Sequence, residues 1–376
     1  MNESVSEQVN GKRKRKVFYL CETKHVLLYF LILKFTHHRN DQVDLYLTDT
    51  TDWGSIGTAV EGQGVFHKVY RLPMREINVK SGLWPKKEVR HNQLLPSRLF
   101  PTVPKVGYDE AYFNLASFPS RLLWAALCMK GAKKPQVNFI EEGTASYNLT
   151  LPTSAALAKV RWSAAIKYMK SIGSLWLTRP ELFSGNLQGR GTVCELDLSI
   201  VNDPAFAAAC NAIFTASTIP QEKFIYFEEC YIRNRHSTND LELLEKVAEI
   251  VGKENILVRL HPKTEVDRFT PFGFKVEEKN SNLWELACMS GDFSEKVFIT
   301  IKSTAALSGV QLSSKPPAVI MLMDLVEGHF PNKSSESFNT YLQNIKRSCT
   351  QSHEVLFIPQ TLEELEIMVR AQNGLR

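Results

Sequence analysis

The chain has 376 residues, more than one ordinary hydrophobic core organises, so its length favours two domains. Hydrophobic residues make up 44% of it and charged residues 23%, which is typical of a soluble globular protein and excludes a disordered one. The net charge is +5, and residues 12–16 (KRKRK) carry five positive charges, so the rest is close to neutral. This balance argues against a nucleic-acid-binding protein, and we expect no nucleic-acid partner.

Seven cysteines are scattered singly along the chain, with no CxxC pair and no Cys/His spacing of a structural zinc site. An odd, dispersed set predicts reduced and mostly buried thiols, and we expect no metal site. Because disulfides are rare in the cytoplasm, the pattern favours a cytoplasmic protein.

Residues 17–35 form the most apolar stretch near the N-terminus. Glu22, Lys24 and His25 lie inside it, and such residues are costly in the hydrocarbon core of a membrane. A signal peptide also lacks charges in its apolar region. We therefore predict a strand followed by a helix in a soluble protein. The basic arm before it is a candidate for peripheral contact with anionic lipid at the inner membrane.

Apolar runs predict the elements of the first half of the chain. They are, in order, a strand at 17–21, a helix at 25–35 with Thr23 as candidate N-cap, a strand at 42–48, helices at 108–113 and 120–130, a strand at 136–140 and a helix at 166–172. The opening strand–helix–strand order is the βαβ signature of a parallel sheet covered by helices.

Residues 217–220 (STIP) predict a linker, and a second α/β pattern begins after them. Its elements are strands at 224–227, 256–260, 297–301 and 318–323 and helices at 239–251 and 361–372. The predicted fold class is α/β, with two Rossmann-like domains facing a central cleft. Ligands of such sheets bind at the carboxyl ends of the strands, so residues directly after strands are the candidate site residues.

The predicted domain boundaries follow from this pattern. They are a flexible basic arm at 1–16, an N-terminal domain at 17–216, a C-terminal domain at 221–360, and a C-terminal helix at 361–376 that packs back on the N-terminal domain.

The first of three motifs that follow strands is an acidic pair before a glycine. Glu141, Glu142 and Gly143 come directly after the strand at 136–140. A carboxylate held at such a turn can act as a general base toward a hydroxyl, and its neighbour raises its pKa by like-charge repulsion. The alternative is a solvated turn without a chemical role.

The second motif is a histidine held by a proline. His261, Pro262 and Lys263 follow the strand at 256–260. Proline restricts the residue before it to extended backbone, which gives the imidazole of His261 a defined direction. Such a histidine can donate a proton or a hydrogen bond to a phosphate oxygen. The alternative is an imidazole that binds a loop carbonyl.

The third motif opens a helix with hydroxyl residues. Lys302, Ser303 and Thr304 follow the strand at 297–301. Hydroxyls and free N–H groups at the start of a helix form an anion-binding site. The alternative is simple N-capping of the helix by Ser303 or Thr304.

The order of these motifs resembles that of the bacterial sialyltransferases, which have an acidic pair before glycine, then His-Pro, then paired hydroxyl residues. This group includes the capsule polysialyltransferases (glycosyltransferase family thirty-eight) and the lipooligosaccharide sialyltransferases (family fifty-two). Residues 18–25 (FYLCETKH) also resemble the start of the lipooligosaccharide enzymes, where a Thr-Pro-His-like turn follows the first strand. Lys24 stands where proline is usual there, so this part of the resemblance is partial.

The resemblance implies the GT-B glycosyltransferase architecture and an inverting transfer of sialic acid from CMP-sialic acid to capsular polysaccharide or lipooligosaccharide. The N-terminal domain would hold the acceptor, and the C-terminal domain the donor. Glu141 or Glu142 would deprotonate the acceptor hydroxyl, while His261 would bind the CMP phosphate and protonate it as it leaves. Pro262, Lys263, Ser303 and Thr304 would complete the donor site. No metal or cofactor is implied, and the sequence has no DxD motif.

Several alternatives stay open at this point. In the lipooligosaccharide branch an acidic residue nearer the His-Pro motif has been assigned the base role, which makes Glu228, Glu229 and Asp240 alternative candidates. The donor could instead be CMP-Kdo or a nucleotide hexose in the same architecture. A non-catalytic glycan- or nucleotide-binding protein could also keep this scaffold. The sequence indicates neither the acceptor, the linkage nor the oligomeric state.

Overall fold

The structure is a computed structural model that describes two compact units. The described residues are 13–75, 96–114, 118–158, 163–215, 219–229, 238–262, 264–277, 283–328, 335–349 and 354–374. The units are Met1–Phe214 and Thr215–Arg376. Each is built on a parallel β-sheet with helices between the strands, so the predicted α/β class is confirmed.

The first unit has a seven-stranded parallel sheet in the order β3-β2-β1-β4-β5-β6-β7 across its described residues. The strands are β1 (Lys16–Cys21), β2 (Gln42–Thr48), β3 (Lys68–Leu72), β4 (Glu110–Phe113), β5 (Gln136–Ile140), β6 (Ile172–Leu177) and β7 (Thr192–Glu195). The helices are α1 (Lys24–Phe35), α2 (Gly54–Gly62), α3 (Phe118–Gly131), α4 (Ser154–Ala158), α5 (Ser163–Lys170) and α6 (Pro204–Ile213). Short 3-10 helices lie at Pro96–Arg98, Thr144–Asn148, Pro180–Leu182 and Leu198–Asn202.

Strand β1 and helix α1 form the centre of this unit's core. Residues 17–21 of β1 are fully buried, because β2 and β4 pair with it on either side. Residues 26–33 of α1 are buried as well, as expected for a helix that is apolar around its whole circumference. Helix α6 packs on α1, with the rings of Phe35 and Phe206 5.6 Å apart. Burying so much apolar surface at the start of the chain fixes the position of the turn after β1.

The second unit repeats the same sheet order with six strands, β10-β9-β8-β11-β12-β13, all parallel, within the part of the chain that the structure describes. The strands are β8 (Phe224–Phe227), β9 (Ile256–Arg259), β10 (Lys275–Val276), β11 (Val297–Thr300), β12 (Ala318–Met321) and β13 (Leu356–Phe357). The helices are α7 (Asp240–Val251), α8 (Trp284–Ser290), α9 (Thr304–Leu312), α10 (Glu336–Cys349) and α11 (Leu362–Asn373), with 3-10 helices at Lys253–Asn255 and Thr270–Phe272.

The C-terminal helix α11 packs against α7 of its own unit. Thr361 caps it, since the Thr361 hydroxyl accepts the N–H of Glu364 at 3.1 Å. Leu365 and Val369 on its inner face are buried. These contacts make α11 part of the second unit's core.

One helix predicted from the sequence contains a strand in the structure, and another ends earlier than predicted. Residues 108–113 are not a helix: Glu110–Phe113 forms β4, which pairs with β1 and β5. In a short apolar run, hydrophobic periodicity cannot distinguish a strand from a buried helix. Here the segment is a strand because it pairs with β1 and β5. The helix predicted at 166–172 ends at Lys170, and β6 begins at Ile172.

The end of the predicted basic arm belongs to the folded unit. The Arg15 guanidinium forms ion pairs with Asp41 and Glu110, both at 2.7 Å. Lys16 is the first residue of β1. The two basic residues are held because they lie at the amino end of the sheet beside carboxylates, while residues 1–12 lie outside the described part. Among the described helices, none combines the length and apolar character needed to cross a lipid bilayer.

Candidate active site

Each sheet has a topological switch point beside its first strand. In the first unit β1 lies between β2 and β4, and in the second unit β8 lies between β9 and β11. In open parallel sheets of this order, ligands bind outside the carboxyl ends of the strands at that point. The residues that follow β1, β4 and β5, and those that follow β8, β9 and β11, are therefore the two candidate sites.

Glu141, the first residue after β5, is buried and committed to hydrogen bonds. Its exposure is 1%. Its Oε2 accepts the Tyr147 hydroxyl at 2.9 Å, the Thr178 N–H at 2.7 Å and the Thr178 hydroxyl at 2.9 Å. Burial raises the pKa of this carboxyl group to about 7, and the three donors oppose that rise. Because Thr178 follows β6, Glu141 fastens the turn after β5 to the next strand end.

Glu142 lies beside residues that follow β1 and β4. Its N–H donates to the Ser146 hydroxyl at 2.9 Å, and its carbonyl oxygen accepts from His25 Nε2 at 3.2 Å. Burial raises the pKa of the Glu142 carboxyl group, and the nearby His25 and Asn114 partly oppose this. Burial and then the negative charge of Glu142 raise the pKa of Glu22 to about 7. The turns after β1 and β5 thus form one partly buried cluster of two carboxyl groups and an imidazole.

Asn114, directly after β4, adds a buried amide to this cluster. It is 1% exposed, and its hydrogen bond to the Glu142 side chain lowers the pKa of that carboxyl group. Asn114 makes no other side-chain hydrogen bond among the described residues. The turn after β4 is therefore joined to the carboxyl cluster.

Replacing Glu22 by glutamine should change how stability depends on pH. The folded state holds the proton of Glu22 up to a pKa of about 7, whereas an unfolded glutamate releases it near 4.5. The native state is therefore favoured below about pH 4.5, and this contribution is lost as the pH rises through 7. At pH 8, Glu22→Gln should unfold with a free energy about 1–3 kcal/mol higher than the wild type.

Urea unfolding at pH 4.5 and at pH 8 measures this effect. The gain of Glu22→Gln over the wild type should shrink toward zero at pH 4.5. The matched control is Glu195→Gln, an exposed glutamate of β7 in the same unit, which should follow the wild type at both pH values. Parallel pH profiles for Glu22→Gln and the wild type would contradict the prediction.

In the second unit, Glu228 and Asp240 share one arginine. The Arg268 guanidinium lies 3.1 Å from Glu228 Oε1 and 2.8 Å from Asp240 Oδ2, and these carboxylate side chains are 2% and 0% exposed. Glu228 Oε2 also accepts the Thr264 hydroxyl at 2.7 Å and the N–H of His261 at 3.2 Å. Both carboxylates, considered above as alternative bases, are thus engaged in holding the loop after β9.

Replacing Arg268 by methionine should destabilise the protein strongly. The change leaves two carboxylates buried without their cation, and breaking a buried pair in this way costs about 3–5 kcal/mol. Urea unfolding at pH 7 measures the loss. The control is Lys246→Met, which breaks an exposed pair with Glu249 whose side chains are 57% and 63% exposed, and which should cost less than about 1 kcal/mol. Losses of similar size in the two variants would refute the assignment.

Glu229 is the second acidic residue after β8. Burial raises the pKa of its carboxyl group to about 7, the charge of Glu228 adds to the rise, and the Lys302 backbone N–H and ammonium oppose it. Its Oε1 is buried and has no hydrogen-bond partner among the residues that the structure describes. Glu229 therefore links the end of β8 to the start of the turn after β11.

The backbone of His261 is fixed on both sides. Its N–H binds Glu228, and its carbonyl oxygen accepts the N–H of Thr264 at 2.8 Å. His261 is partly exposed at the carboxyl end of β9, and Pro262 is exposed. Lys263, also proposed from the sequence, lies outside the described residues. The histidine predicted to face a ligand is therefore held at the edge where a ligand would bind.

Ser303 opens α9 without capping it. It occupies the N-cap position with φ −65° and ψ 128°, and its side chain makes no capping hydrogen bond. Its own N–H donates to the Thr300 hydroxyl at 2.9 Å, and that hydroxyl donates to the Phe227 carbonyl at 3.0 Å. Thr304 is the exposed first residue of the helix. The Ser303 hydroxyl is thus not bound to the first-turn N–H groups of α9. The hydroxyl and these N–H groups can therefore bind an anion.

The donor-site candidates lie at the ends of the two strands that flank β8. Strands β9 and β11 flank β8 on either side, so the turns that carry His261 and Ser303 are separated by roughly two strand spacings, about 10 Å. One phosphate with its sugar or nucleoside can span that distance. The arrangement can bind an anion between an imidazole and a helix start.

A cluster of side chains suited to a metal ion lies elsewhere in the first unit. His37, His38 and Glu110 bring ligand atoms within 4.8 Å of one another. They lie at the amino end of the sheet, where Arg15 already pairs with Glu110 at 2.7 Å. A cation there would compete with this guanidinium, and the cluster is at the opposite end of β4 from Asn114.

Comparison with solved structures shows that the chain has the fold of GT-B glycosyltransferases. An α/β-galactoside α-2,3-sialyltransferase from the luminous marine bacterium Photobacterium phosphoreum is 11% identical with a TM-score of 0.52, over 94% of this chain and 100% of that one. The glycotransferase of kitacinnamycin is 12% identical with a TM-score of 0.50, over 96% and 90% of the two chains. Arabidopsis thaliana UGT89C1 complexed with UDP is 13% identical with a TM-score of 0.50, over 96% and 91%.

These structural similarities establish the fold but not the reaction, because the sequence identities are low. No family model and no curated protein matches the sequence. The class that the fold defines is therefore GT-B, and the chemistry must be argued from the residues.

Three residues of the first candidate site, Glu22, His25 and Asn114, were not among the site residues predicted from the sequence. His25 and Glu142 are 117 positions apart and meet only because β1, β4 and β5 are neighbours. One signal could have found Glu22 and His25: they follow the first predicted strand directly, where ligand-binding residues are expected.

Proposed function

We propose that the chain is an inverting sialyltransferase that transfers sialic acid from CMP-sialic acid to a cell-surface glycan, either capsular polysaccharide or lipooligosaccharide. One observation carries the proposal. All three motifs that resemble the bacterial sialyltransferases lie at carboxyl ends of parallel strands, the edge where such sheets bind ligands. The likeness of the fold to a bacterial α-2,3-sialyltransferase supports the same assignment.

Glu142 is proposed as the general base. Its neighbour Glu141 is buried and already accepts three hydrogen bonds, so it is poorly placed to receive a proton from a substrate. Glu142 is less buried, and its raised pKa brings its basicity closer to neutral pH, where a general base works best. Asn114 would hold the Glu142 carboxylate in position, because its buried amide hydrogen-bonds that group.

The second unit is proposed to bind the donor phosphate. In the reaction, the acceptor oxygen forms a bond to the anomeric carbon of sialic acid while the bond from that carbon to the phosphate oxygen breaks. The electron pair leaves with CMP, and the acceptor proton goes to Glu142. Charge grows on the departing phosphate, so His261 as a proton or hydrogen-bond donor and Ser303 and Thr304 at the start of α9 would stabilise the oxocarbenium-like transition state. The scheme uses no metal or cofactor.

The test is acceptor-dependent release of CMP. The full chain is incubated with CMP-sialic acid and a panel of bacterial glycans, CMP is quantified, and the products are analysed by mass spectrometry. We expect CMP release that requires an acceptor, together with a glycan heavier by one sialic acid residue. Turnover of CMP-Kdo in place of CMP-sialic acid would replace the donor, and the absence of turnover with every donor would favour a non-catalytic binding protein.

A nucleotide hexose is the second candidate donor. The likeness to UGT89C1, solved with UDP, favours it, because the same fold holds a uridine nucleotide there. UDP-hexoses are therefore included in the donor panel, and UDP release without CMP release would select this alternative.

A further inference from the structure

Two histidines and a glutamate meet at the amino end of the first sheet. His37, His38 and Glu110 bring ligand atoms within 4.8 Å of one another. The histidines lie in the turn between α1 and β2, and Glu110 is the first residue of β4. Because β2 and β4 pair with β1 on either side, the fold brings these distant parts of the chain together. The cysteine and histidine spacing of the sequence predicts no metal site, since it does not contain this contact.

His38 has the surroundings of a metal ligand. It is fully buried, and its Nδ1 lies 2.8 Å from Asp41 Oδ2. Histidines that bind metals usually donate one ring N–H to such a carboxylate, which leaves a lone pair on the other nitrogen. That nitrogen, Nε2, lies 3.8 Å from Glu110 Oε2. Because zinc lies about 2.0–2.2 Å from its nitrogen and oxygen ligands, one ion can bridge two atoms that are about 4 Å apart. The two atoms are therefore within reach of one ion.

His37 offers a third ligand from the protein surface. Its side chain is exposed, and its ring lies 4.8 Å from the ring of Trp176. The Trp176 Nε1–H donates to the Ser174 hydroxyl at 2.8 Å, which holds the indole in place. The Lys34 ammonium fixes the turn, because it binds three of the backbone carbonyl oxygens that follow His37. The exposed imidazole can change its rotamer while the turn stays in place, and it gives an ion a path into the cluster.

A buried hydroxyl without a partner lies on the same face of the sheet. Tyr19 of β1 pairs with Tyr112 of β4, and their rings are 5.1 Å apart. The Tyr19 ring is also 5.8 Å from the imidazole of His38. Among the described residues, the Tyr19 hydroxyl has no hydrogen-bond partner, although buried polar groups nearly always have one. Zinc with three protein ligands usually carries a water molecule as the fourth, and this water would give the hydroxyl a partner.

The Arg15 guanidinium holds part of this position already. It lies 2.7 Å from Glu110 Oε1 and 2.7 Å from Asp41 Oδ2. The Arg15 side chain is 38% exposed, and ion pairs with an exposed partner contribute little to stability. The backbone N–H of Arg15 binds Asp41 Oδ1 at 3.0 Å, a hydrogen bond that does not need the guanidinium. The guanidinium can therefore leave Glu110 while Asp41 stays in place beside His38.

From this geometry we propose that His37, His38 and Glu110 form a binding site for a divalent transition metal ion of the zinc type. Asp41 orients one of the histidines, and the Arg15 guanidinium competes with the ion. Two imidazoles and a carboxylate are a ligand set that zinc binds, whereas Mg²⁺ and Ca²⁺ prefer oxygen ligands alone. The site lies at the opposite end of β4 from the candidate active site. It goes beyond the proposed function and does not depend on it.

Zinc binding to the full chain, without an added histidine tag, tests this site. The probe is Zn²⁺ alone, titrated in competition with a chromophoric chelator of known affinity. The strongest site of the wild type should weaken at least tenfold in His37→Gln and in Glu110→Gln, because each change removes a ligand. The matched control is His67→Gln, which removes a 43% exposed imidazole of the same unit and should leave the affinity unchanged.

Arg15→Gln separates a metal site from a purely structural cluster. Removing the competing guanidinium should tighten zinc binding by about three- to tenfold, a gain that a misfolded variant would not give. Zinc should also raise the thermal stability of the wild type more than that of His37→Gln, since an ion that binds the native state stabilises it. Equal zinc affinity in the wild type and His37→Gln, weaker binding in Arg15→Gln, or the same loss in His67→Gln as in His37→Gln would overturn the proposal. No sugar donor is present, so these outcomes are separate from the test of transfer.

Discussion

Glu142→Gln should lower kcat/KM for acceptor-dependent CMP release by about 10²- to 10⁴-fold. Glutamine has nearly the same shape and still accepts a hydrogen bond, so the acceptor should bind with little change in KM and the loss should fall on kcat. The carboxylate must be ionised to take the acceptor proton. The wild-type rate should therefore rise with pH through the Glu142 pKa, which burial places above its ordinary value, and this limb should be missing in the variant.

Two further variants define what the Glu142 result means. Glu195→Gln, on the exposed edge strand β7, should keep wild-type kinetics. Glu141→Gln should affect folding more than chemistry, because the Glu141 carboxylate holds Tyr147 and Thr178. Full activity in Glu142→Gln together with a collapse of kcat in folded Glu141→Gln would transfer the base role to Glu141.

His261→Ala should lower kcat/KM for the nucleotide-sugar donor by about 10²- to 10³-fold, the range seen when one positioned donor to a developing anion is removed. The N–H of His261 binds Glu228 through the backbone, and alanine keeps that bond, so the loop after β9 should stay in place. The loss should therefore appear with unchanged thermal stability. We also expect His261→Ala to bind CMP alone more weakly than the wild type, as measured by titration calorimetry.

The control for this experiment is His67→Ala, which removes a 43% exposed imidazole just before β3 in the other unit and should leave kcat/KM unchanged. Ser303→Ala tests the phosphate site independently, since it removes a hydroxyl that takes no part in capping α9. If His261→Ala and Ser303→Ala both retain wild-type donor kinetics, the phosphate is bound elsewhere.

Several strands of the two sheets can be predicted from the sequence, whereas the edge strands and the interior strands β4 and β6 cannot. The bounds predicted for β5 and β8 are those of the structure, because each is an apolar run between polar turns. The edge strands β3 and β7 were not predicted, since their side chains, apart from Leu72, are exposed or half-buried and show no apolar period. Strand β4 was mistaken for a helix because Tyr112 and Phe113 are buried by pairing between distant strands, which a local pattern does not contain.

The candidate site could likewise be predicted only in part. The residues Glu141, Glu142, His261 and Ser303 could be found because each directly follows a recognisable strand. Their different roles could not be predicted. Glu141 differs from Glu142 through its hydrogen bonds with Tyr147 and Thr178, and these bonds depend on the position of β6. The engagement of Glu228 and Asp240 by Arg268 likewise depends on the folded loop after β9.

The order of strands in the first sheet also bears on how the chain is made. Val17 of β1 pairs with Glu110 of β4, and at about 5–20 residues per second roughly 5–20 s separate the synthesis of these partners on the ribosome. During that interval β2 can cover one side of β1, while its other side presents an apolar, unpaired edge of the kind that promotes aggregation. The nascent chain therefore exposes this edge until residue 113 has been synthesised. Overproduction at high temperature should yield insoluble protein, because many nascent chains expose this edge at once. Lower expression in the cold should favour the soluble form, because hydrophobic association weakens on cooling.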